Sequence, residues 1–556
     1  MTPEPENENP ALRRLGVALS LVAVVALLVW LVPRQESELP EGGNRTEARV
    51  ATGSSWPREP GPLHGMAAEG ENEDDFGEPR IGFTDDELDE AIGGEVVLRF
   101  DSDEAFRRFL AAAGGELETI DRLRAVRLSL DQLRDLGHLL GEDSEIGLNF
   151  FVFPPPLPDG GMVQEGAVGF GASLAEWLGA QGDISQWGRG VTIAIIDTGV
   201  AGHSNLPPGI RSIDLAGGGE IHGHGTAVAS TVAGIGSGAP GLAPSANLLS
   251  VRVAGEAGTS NSFTLAQGIL AAVDSGARLI NISMGSYGDS PLLRDAVEYA
   301  RSRGALVIAA TGNDGSGQPL FPAAIDGVVA VGAVDARGEH LLFSNHGNHV
   351  STVAPGLELN AAYPGDEWIA FTGTSASTGV VTGALAAIMT MGGGAPLTPA
   401  AALDLYQRYS NEAGMPGHDP FYGHGIPDLG RVMHRNTPGR IDGAVASQVL
   451  VPSNTNSGAS LVVTVENRGT APLVNATLGV NAGGTDFTRH IASLPPNQTR
   501  TFEIPAQRHW FDADGILLSS STLNLDPALN DLNPSNNVRN ELLLHPQAPE
   551  PDGRQP

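Results

Sequence analysis

The run Val191–Ile196 is almost wholly apolar and ends in Asp197-Thr198-Gly199. A strand that is apolar on both faces must be covered on both faces, which is the mark of a parallel sheet flanked by helices. That places the middle of the chain in the α/β class. In open α/β sheets active sites gather at the carboxyl ends of strands, so Asp197 stands where chemistry is expected. Taken alone, an Asp-Thr-Gly reads as a turn.

The chain has 556 residues, room for several domains. Its 32 basic residues, all Arg, face 65 acidic ones, for a net charge of −33. Nucleic acid needs a basic face, so it is excluded as an expected partner. Cys is absent, which removes disulfides, Cys-ligated zinc and a catalytic thiol from consideration.

Leu15–Val32 carries no charge and, at about 1.5 Å per residue, spans roughly 27 Å, close to a bilayer's hydrocarbon core. Arg13 and Arg14 precede it and only Arg34 follows closely, which places residues 1–14 in the cytoplasm and the rest outside. Val29–Arg34 offers no small-x-small cleavage site, so residues 15–33 are predicted to be a retained single-pass anchor. A cleaved signal peptide, giving a secreted protein, is the alternative. Residues 34–92, rich in Glu, Gly and Pro, are predicted to be a disordered acidic linker.

Residues 93–157 predict a small α+β unit. Glu95–Phe100, Leu123–Leu128 and Leu148–Phe153 read as strands. Ser102 caps one helix, and Ser129 with Gln132 forms a capping box for a second that carries Leu133, Leu136 and Leu140.

Three further segments carry candidate chemistry. His222–Ser230 (HGHGTAVAS) puts His224 at the start of a small-residue helix. Gly373-Thr374-Ser375 opens another, where the helix N-terminus helps to stabilise an oxyanion. Ala309–Gly315 (AATGNDG) follows an apolar run and holds Asn313, whose amide can donate to such an oxyanion. Each alone has a bland reading: a structural histidine, a helix cap, a turn asparagine.

Together they stand in the order Asp…His…Ser, and here the sequence resembles the subtilisin-like serine proteases. Trp187–Val200, Gly241–Ala246, Leu279–Gly285, Phe321–Val334 and Val353–Gly356 also look like that family. The resemblance covers about Ala172–Met433. It implies a catalytic domain at 170–434 with a helix-flanked parallel sheet and the triad Asp197, His224 and Ser375. It also implies an oxyanion hole containing Asn313, and a propeptide role for the α+β unit, with self-processing within about Leu157–Gly169. Ser283, Met284 and Gly285 resemble the edge that pairs with extended substrate. Ser283–Gly285 and Ala309–Gly312 would wall a side-chain pocket whose floor Leu320 partly fills, with Asp314 near its rim. No cofactor is required by this reading. The family's loop calcium is not expected, because Gly234–Gly241 lacks carboxylates, and no other calcium site is assigned. Gly379 stands where the family usually has Pro.

Residues 439–545 change character. Ser460–Val465, Ala476–Val480, Thr499–Ile504 and Ile516–Leu525 are strand-like runs that suit a β-sandwich. They resemble bacterial adhesion-related Ig-like domains. Asp526, Asn530, Asp531 and Asn533 are read as turn formers, with calcium ligation the alternative. Residues 546–556 are expected to be a disordered tail. The expected function is that of a serine endopeptidase acting on protein or peptide substrates outside the cytoplasmic membrane. A non-enzymatic adhesion or scaffold protein that kept a protease fold is the alternative.

Overall fold

The computed structural model describes residues 88–546 apart from 159, 172, 237 and 456. The expected anchor at 15–33, most of the linker and nearly all of the tail lie outside the described residues. Among the described residues no helix is long and apolar enough to cross a membrane.

Seven strands form the central sheet, in the order Val350–Pro355, Val329–Val334, Leu306–Ala310, Leu279–Ile282, Thr192–Asp197, Asn247–Arg252, Arg211–Asp214. Every pairing between neighbours is parallel. Side chains alternate along each strand, so the two faces of Thr192–Asp197 feed two cores. Ile193 and Ile195 pack with the helices His224–Ala233 and Thr374–Thr390. Ala194 and Ile196 pack with Ser262–Asp274 and Pro291–Ser302. Each such isoleucine, fully buried, contributes about 1.5–3 kcal/mol relative to exposure.

Small residues let the two inner helices approach closely. A Cβ on Gly379 would stand 1.9 Å from Thr231 Oγ1, and one on Gly383 would stand 3.0 Å from Val232 O. Thr231 thus leaves no room for a Cβ at Gly379, the position where the family usually has Pro.

Before this domain, Ala91–Phe100, Glu118–Ile120, Ala125–Ser129 and Ser144–Val152 form an antiparallel sheet. The capping box is present: Ser129 Oγ accepts from Gln132 N at 3.1 Å, and Gln132 Oε1 accepts from Ser129 N at 2.8 Å. The second helix is shorter than expected. It ends at Leu136, Gly137–Leu139 tighten into a 3-10 turn, and Leu140 lies beyond both. The last strand begins at Ser144 rather than Leu148, because Glu145–Gly147 pair with Val97–Arg99.

One face of this sheet lies on the catalytic domain. Val97, Ile120, Ala125 and Val152 join the core around the Ser262–Asp274 and Pro291–Ser302 helices. Buried Asn149 meets the start of the first helix: its Oδ1 accepts from Ser262 Oγ at 2.9 Å and Phe263 N at 3.1 Å. Residues 151–152 continue the sheet by pairing with Ser260–Asn261.

After the catalytic domain come two antiparallel sheets around one apolar core. One holds Gly443–Pro452, Ala459–Asn467 and Thr499–Pro505; the other holds Thr485–Leu494, Leu473–Ala482, Ile516–Asn524 and Val538–Leu544. Three of these strands, Gly443–Pro452, Thr485–Leu494 and Val538–Leu544, were not expected from sequence. In Thr485–Leu494 polar residues alternate on exposed positions, and in Val538–Leu544 Arg539, Asn540 and Glu541 interrupt the apolar run; both dilute the apolar signal. Asp526 accepts from Ala528 N at 2.9 Å and Asp531 from Asn533 N at 3.1 Å, as turn-forming residues do.

Candidate active site

The candidate residues converge because each sits at or just beyond the end of a strand or in the first turn of a helix. Asp197 is the last residue of its strand and is fully buried. His224 is the first residue of its helix. His224 Nδ1 lies 2.9 Å from Asp197 Oδ1 and 3.0 Å from Oδ2. A carboxylate so placed fixes the ring's tautomer and leaves Nε2 for chemistry. Thr198 N donates to Asp197 Oδ1 at 2.7 Å, and Thr198 Oγ1 ties the strand end to His222 O at 2.8 Å. Gly225 permits the contact, since a Cβ there would stand 2.4 Å from Gly199 O. The His224 ring meets Phe371 edge-on, centroids 5.5 Å apart. His222 titrates below its ordinary value, first through burial and then through repulsion from His224.

Ser375 is the second residue of the Thr374–Thr390 helix and is buried; among the described residues its Oγ has no hydrogen-bond partner. Asn313 faces it from the loop after Leu306–Ala310. Asn313 Oδ1 accepts from Thr374 N at 2.8 Å and Thr374 Oγ1 at 2.9 Å, so its Nδ2 is left to donate. Gly373 has φ 135°, and a Cβ there would stand 2.7 Å from Asn313 Nδ2. Thr374, which sequence reasoning passed over as a motif letter, therefore sets the orientation of Asn313.

The acceptor for Asn313 Nδ2 is the carbonyl oxygen of Pro156, at 2.9 Å. The segment leading to it pairs with the edge next to Ser375: Phe153 N donates to Gly285 O at 3.0 Å, and Gly285 N to Phe153 O at 2.9 Å. The chain thus lays its own extended segment, Phe153–Pro156, through the site as a strand addition. From Gly160 the chain runs on across the domain, with Met162, Val163 and Ala167 against Leu341 and Phe343.

The residues expected to line the substrate fall as follows. Gly285 pairs with the strap. Ser283 Oγ is buried, accepts from Asn281 Nδ2 at 3.0 Å and reaches Ser375 O at 3.4 Å. The Met284 side chain is fully buried in the core, so only its backbone can face a substrate. Gly312 and Leu320 are neighbours, a Cβ on Gly312 standing 3.5 Å from Leu320 Cδ2. Among the described residues no group of three or more His, Cys, Asp or Glu side chains is placed to hold a metal ion.

This geometry has relatives. The subtilase family profile matches residues 188–425. Subtilisin Savinase of Lederbergia lenta is 38% identical over 211 residues, 36% of this chain and 77% of that protein. The thermostable alkaline protease of Halalkalibacterium halodurans is 34% identical over 257 residues, 44% of this chain and 68% of that protein. An alkaline protease of Shouchella clausii is 38% identical, with about half of its length (54%) covered. The chain belongs to the subtilase family and is a serine endopeptidase of the subtilisin type.

Proposed function

We propose that this protein is made as a membrane-anchored subtilisin-like zymogen that cuts itself at Pro156–Leu157 and then hydrolyses other proteins outside the cytoplasmic membrane. The observation that carries the proposal is the Pro156 carbonyl on the Asn313 amide, 2.9 Å away. Ser375 Oγ attacks that carbonyl carbon while His224 Nε2 takes the hydroxyl proton. Asp197 holds the resulting imidazolium at Nδ1. Negative charge gathers on the Pro156 oxygen and is met by Asn313 Nδ2 and by the amide dipoles at the start of the Thr374–Thr390 helix. The C–N bond to Leu157 breaks as His224 returns the proton to the leaving amine, and water then hydrolyses the acyl-enzyme on Ser375. The unpartnered Ser375 hydroxyl fits this sequence, because catalytic hydrogen bonds often close only in the reacting complex.

In this reading the propeptide is the α+β unit with the strap up to Pro156, and its product end keeps the cleft filled until it leaves. Ser283, Gly285 and Gly312 flank the extended substrate. Residues 439–545 form an Ig-like β-sandwich accessory domain. The reaction as proposed uses no metal. Leu15–Val32 holds the precursor to the membrane.

N-terminal sequencing of the protein recovered from both the membranes and the surrounding medium tests the reading. The wild type yields a fragment beginning at Leu157, and Ser375→Ala remains full length with the 15–33 segment attached. Normal maturation of a Ser375→Ala chain in a protease-free preparation would sink self-processing.

A further inference from the structure

Two segments flank the strap where Pro156 meets Asn313: Ser283–Tyr287 on one side and Gly312–Asp314 on the other. The space between them, into which a substrate side chain would descend, is occupied by this protein's own side chains. Leu320, 1% exposed, abuts both walls: a Cβ on Gly285 would stand 2.5 Å from Leu320 Cγ. Asn345 closes a second side, its Nδ2 standing 2.3 Å from where a Gly312 Cβ would be. Between the two segments the Tyr287 hydroxyl donates to the Asp314 carboxylate. Asn345 braces that bond, donating from Nδ2 to the Tyr287 oxygen at 3.4 Å while its Oδ1 accepts from Asp314 N at 2.9 Å and Ser316 N at 3.0 Å.

The strap responds as it would to a closed pocket. Pro156, whose carbonyl is at Asn313, is exposed, whereas Pro155 before it is buried. An open pocket at this point would enclose the ring of the residue that presents its carbonyl.

We propose that Tyr287 and Asp314 form a bar between the two walls that restricts the residue on the acyl side of the scissile bond to small side chains. The inference rests on the catalytic reading above and names the substrate class for that site. An aromatic side chain is excluded by volume. A basic one finds no free carboxylate, because Asp314 is already engaged by Tyr287. Leu320 limits depth, whereas the bar limits entry, so shortening Leu320 alone leaves the entrance shut. Burial, and next the bond to Asp314, push the Tyr287 hydroxyl above its ordinary pKa, so it keeps its proton and the bar survives in alkaline solution.

The test uses the full chain after self-processing, with peptides matched except for Ala, Phe or Arg at the cleaved position. In Tyr287→Ala the Phe-to-Ala ratio of kcat/KM rises roughly tenfold or more, the scale of a pocket gaining room for a side chain. In Tyr287→Phe, which keeps the ring and frees Asp314, the Arg-to-Ala ratio rises instead. Leu320→Gly alone moves the Phe-to-Ala ratio less than Tyr287→Ala does. If Tyr287→Ala does not fold, the Arg-to-Ala ratio of Tyr287→Phe decides. Ratios that stay at wild-type values in both Tyr287 variants overturn the bar while leaving the protease reading intact. A wild type that cleaves no peptide and is not labelled at Ser375 by a fluorophosphonate overturns that reading, and the bar with it.

Discussion

Thr374 holds Asn313 much as Asp197 holds His224: each fixes the orientation of its neighbour's side chain, and so which atom would face the proposed reaction. With Oδ1 held by both the amide and the hydroxyl of Thr374, the Asn313 amide cannot turn over without losing two bonds. Thr374→Val removes the hydroxyl but keeps the shape, so it is expected to lower kcat with little change in KM. The upper bound is the loss of the whole donor, about 10²–10³ in kcat, a magnitude borrowed from subtilisin's own oxyanion asparagine. Thr374→Ser restores the bond and the rate. A Thr374→Val enzyme whose loss lies entirely in KM would show that Thr374 acts on binding instead. At this scale the sequence singles out Asp197, His224, Ser375 and Asn313 because their flanking letters form motifs, and their catalytic roles belong to the proposed function. Thr374 and Tyr287 are not singled out, because their roles depend on partners far away in the chain.

The element that the motifs describe least is the crossing of the His224–Ala233 and Thr374–Thr390 helices. His224 and Ser375 ride on these two helices, so the spacing of the helices sets the spacing of the proposed base and nucleophile. Thr231 Oγ1 donates to Val228 O at 2.8 Å within its own helix and so stands in the space beside Gly379. Gly379→Ala is expected to destabilise the fold by about 1–3 kcal/mol, the cost of overpacking a filled core. Thr231→Ala should relieve much of that loss in the double variant. Additive losses in a denaturation cycle would mean that the two residues do not meet. The apolar runs read correctly as strands because burial on both faces leaves no polar position. Thr485–Leu494 escaped notice because its exposed face carries Asp486, Thr488 and His490, and Val538–Leu544 because Arg539, Asn540 and Glu541 interrupt its apolar residues.

Across the whole molecule the three folded regions are tied by contacts that span large sequence separations. Glu466 of the C-terminal region is 3% exposed, 2.5 Å from Arg431 of the catalytic domain and 2.9 Å from Arg468. Burial opposes its ionisation, and the two arginines outweigh that, holding its carboxyl below the ordinary value. Glu466→Ala leaves two cations without their carboxylate, one of them deeply buried. Removing one partner of a buried pair costs about 3–5 kcal/mol. The variant is therefore expected to split the unfolding of the catalytic and C-terminal regions into two calorimetric transitions. A single transition with an unchanged midpoint would show that Glu466 does not join the two regions. A second tie, Arg539 to Glu339 at 3.2 Å, joins the same two regions and would remain.

The sequence by itself determined the class of sheet, the order of the catalytic letters and the family they resemble. These are written in local patterns: apolar runs, capping residues, and glycines beside reactive side chains. The tertiary structure decided what occupies the cleft. Nothing in Phe153-Pro154-Pro155-Pro156 announces that its last carbonyl meets an amide 157 positions away. Nothing in Tyr287 announces Asp314. Such contacts arise where the ends of different strands are brought together by packing, and the energy that holds them there comes from cores far from the contact itself.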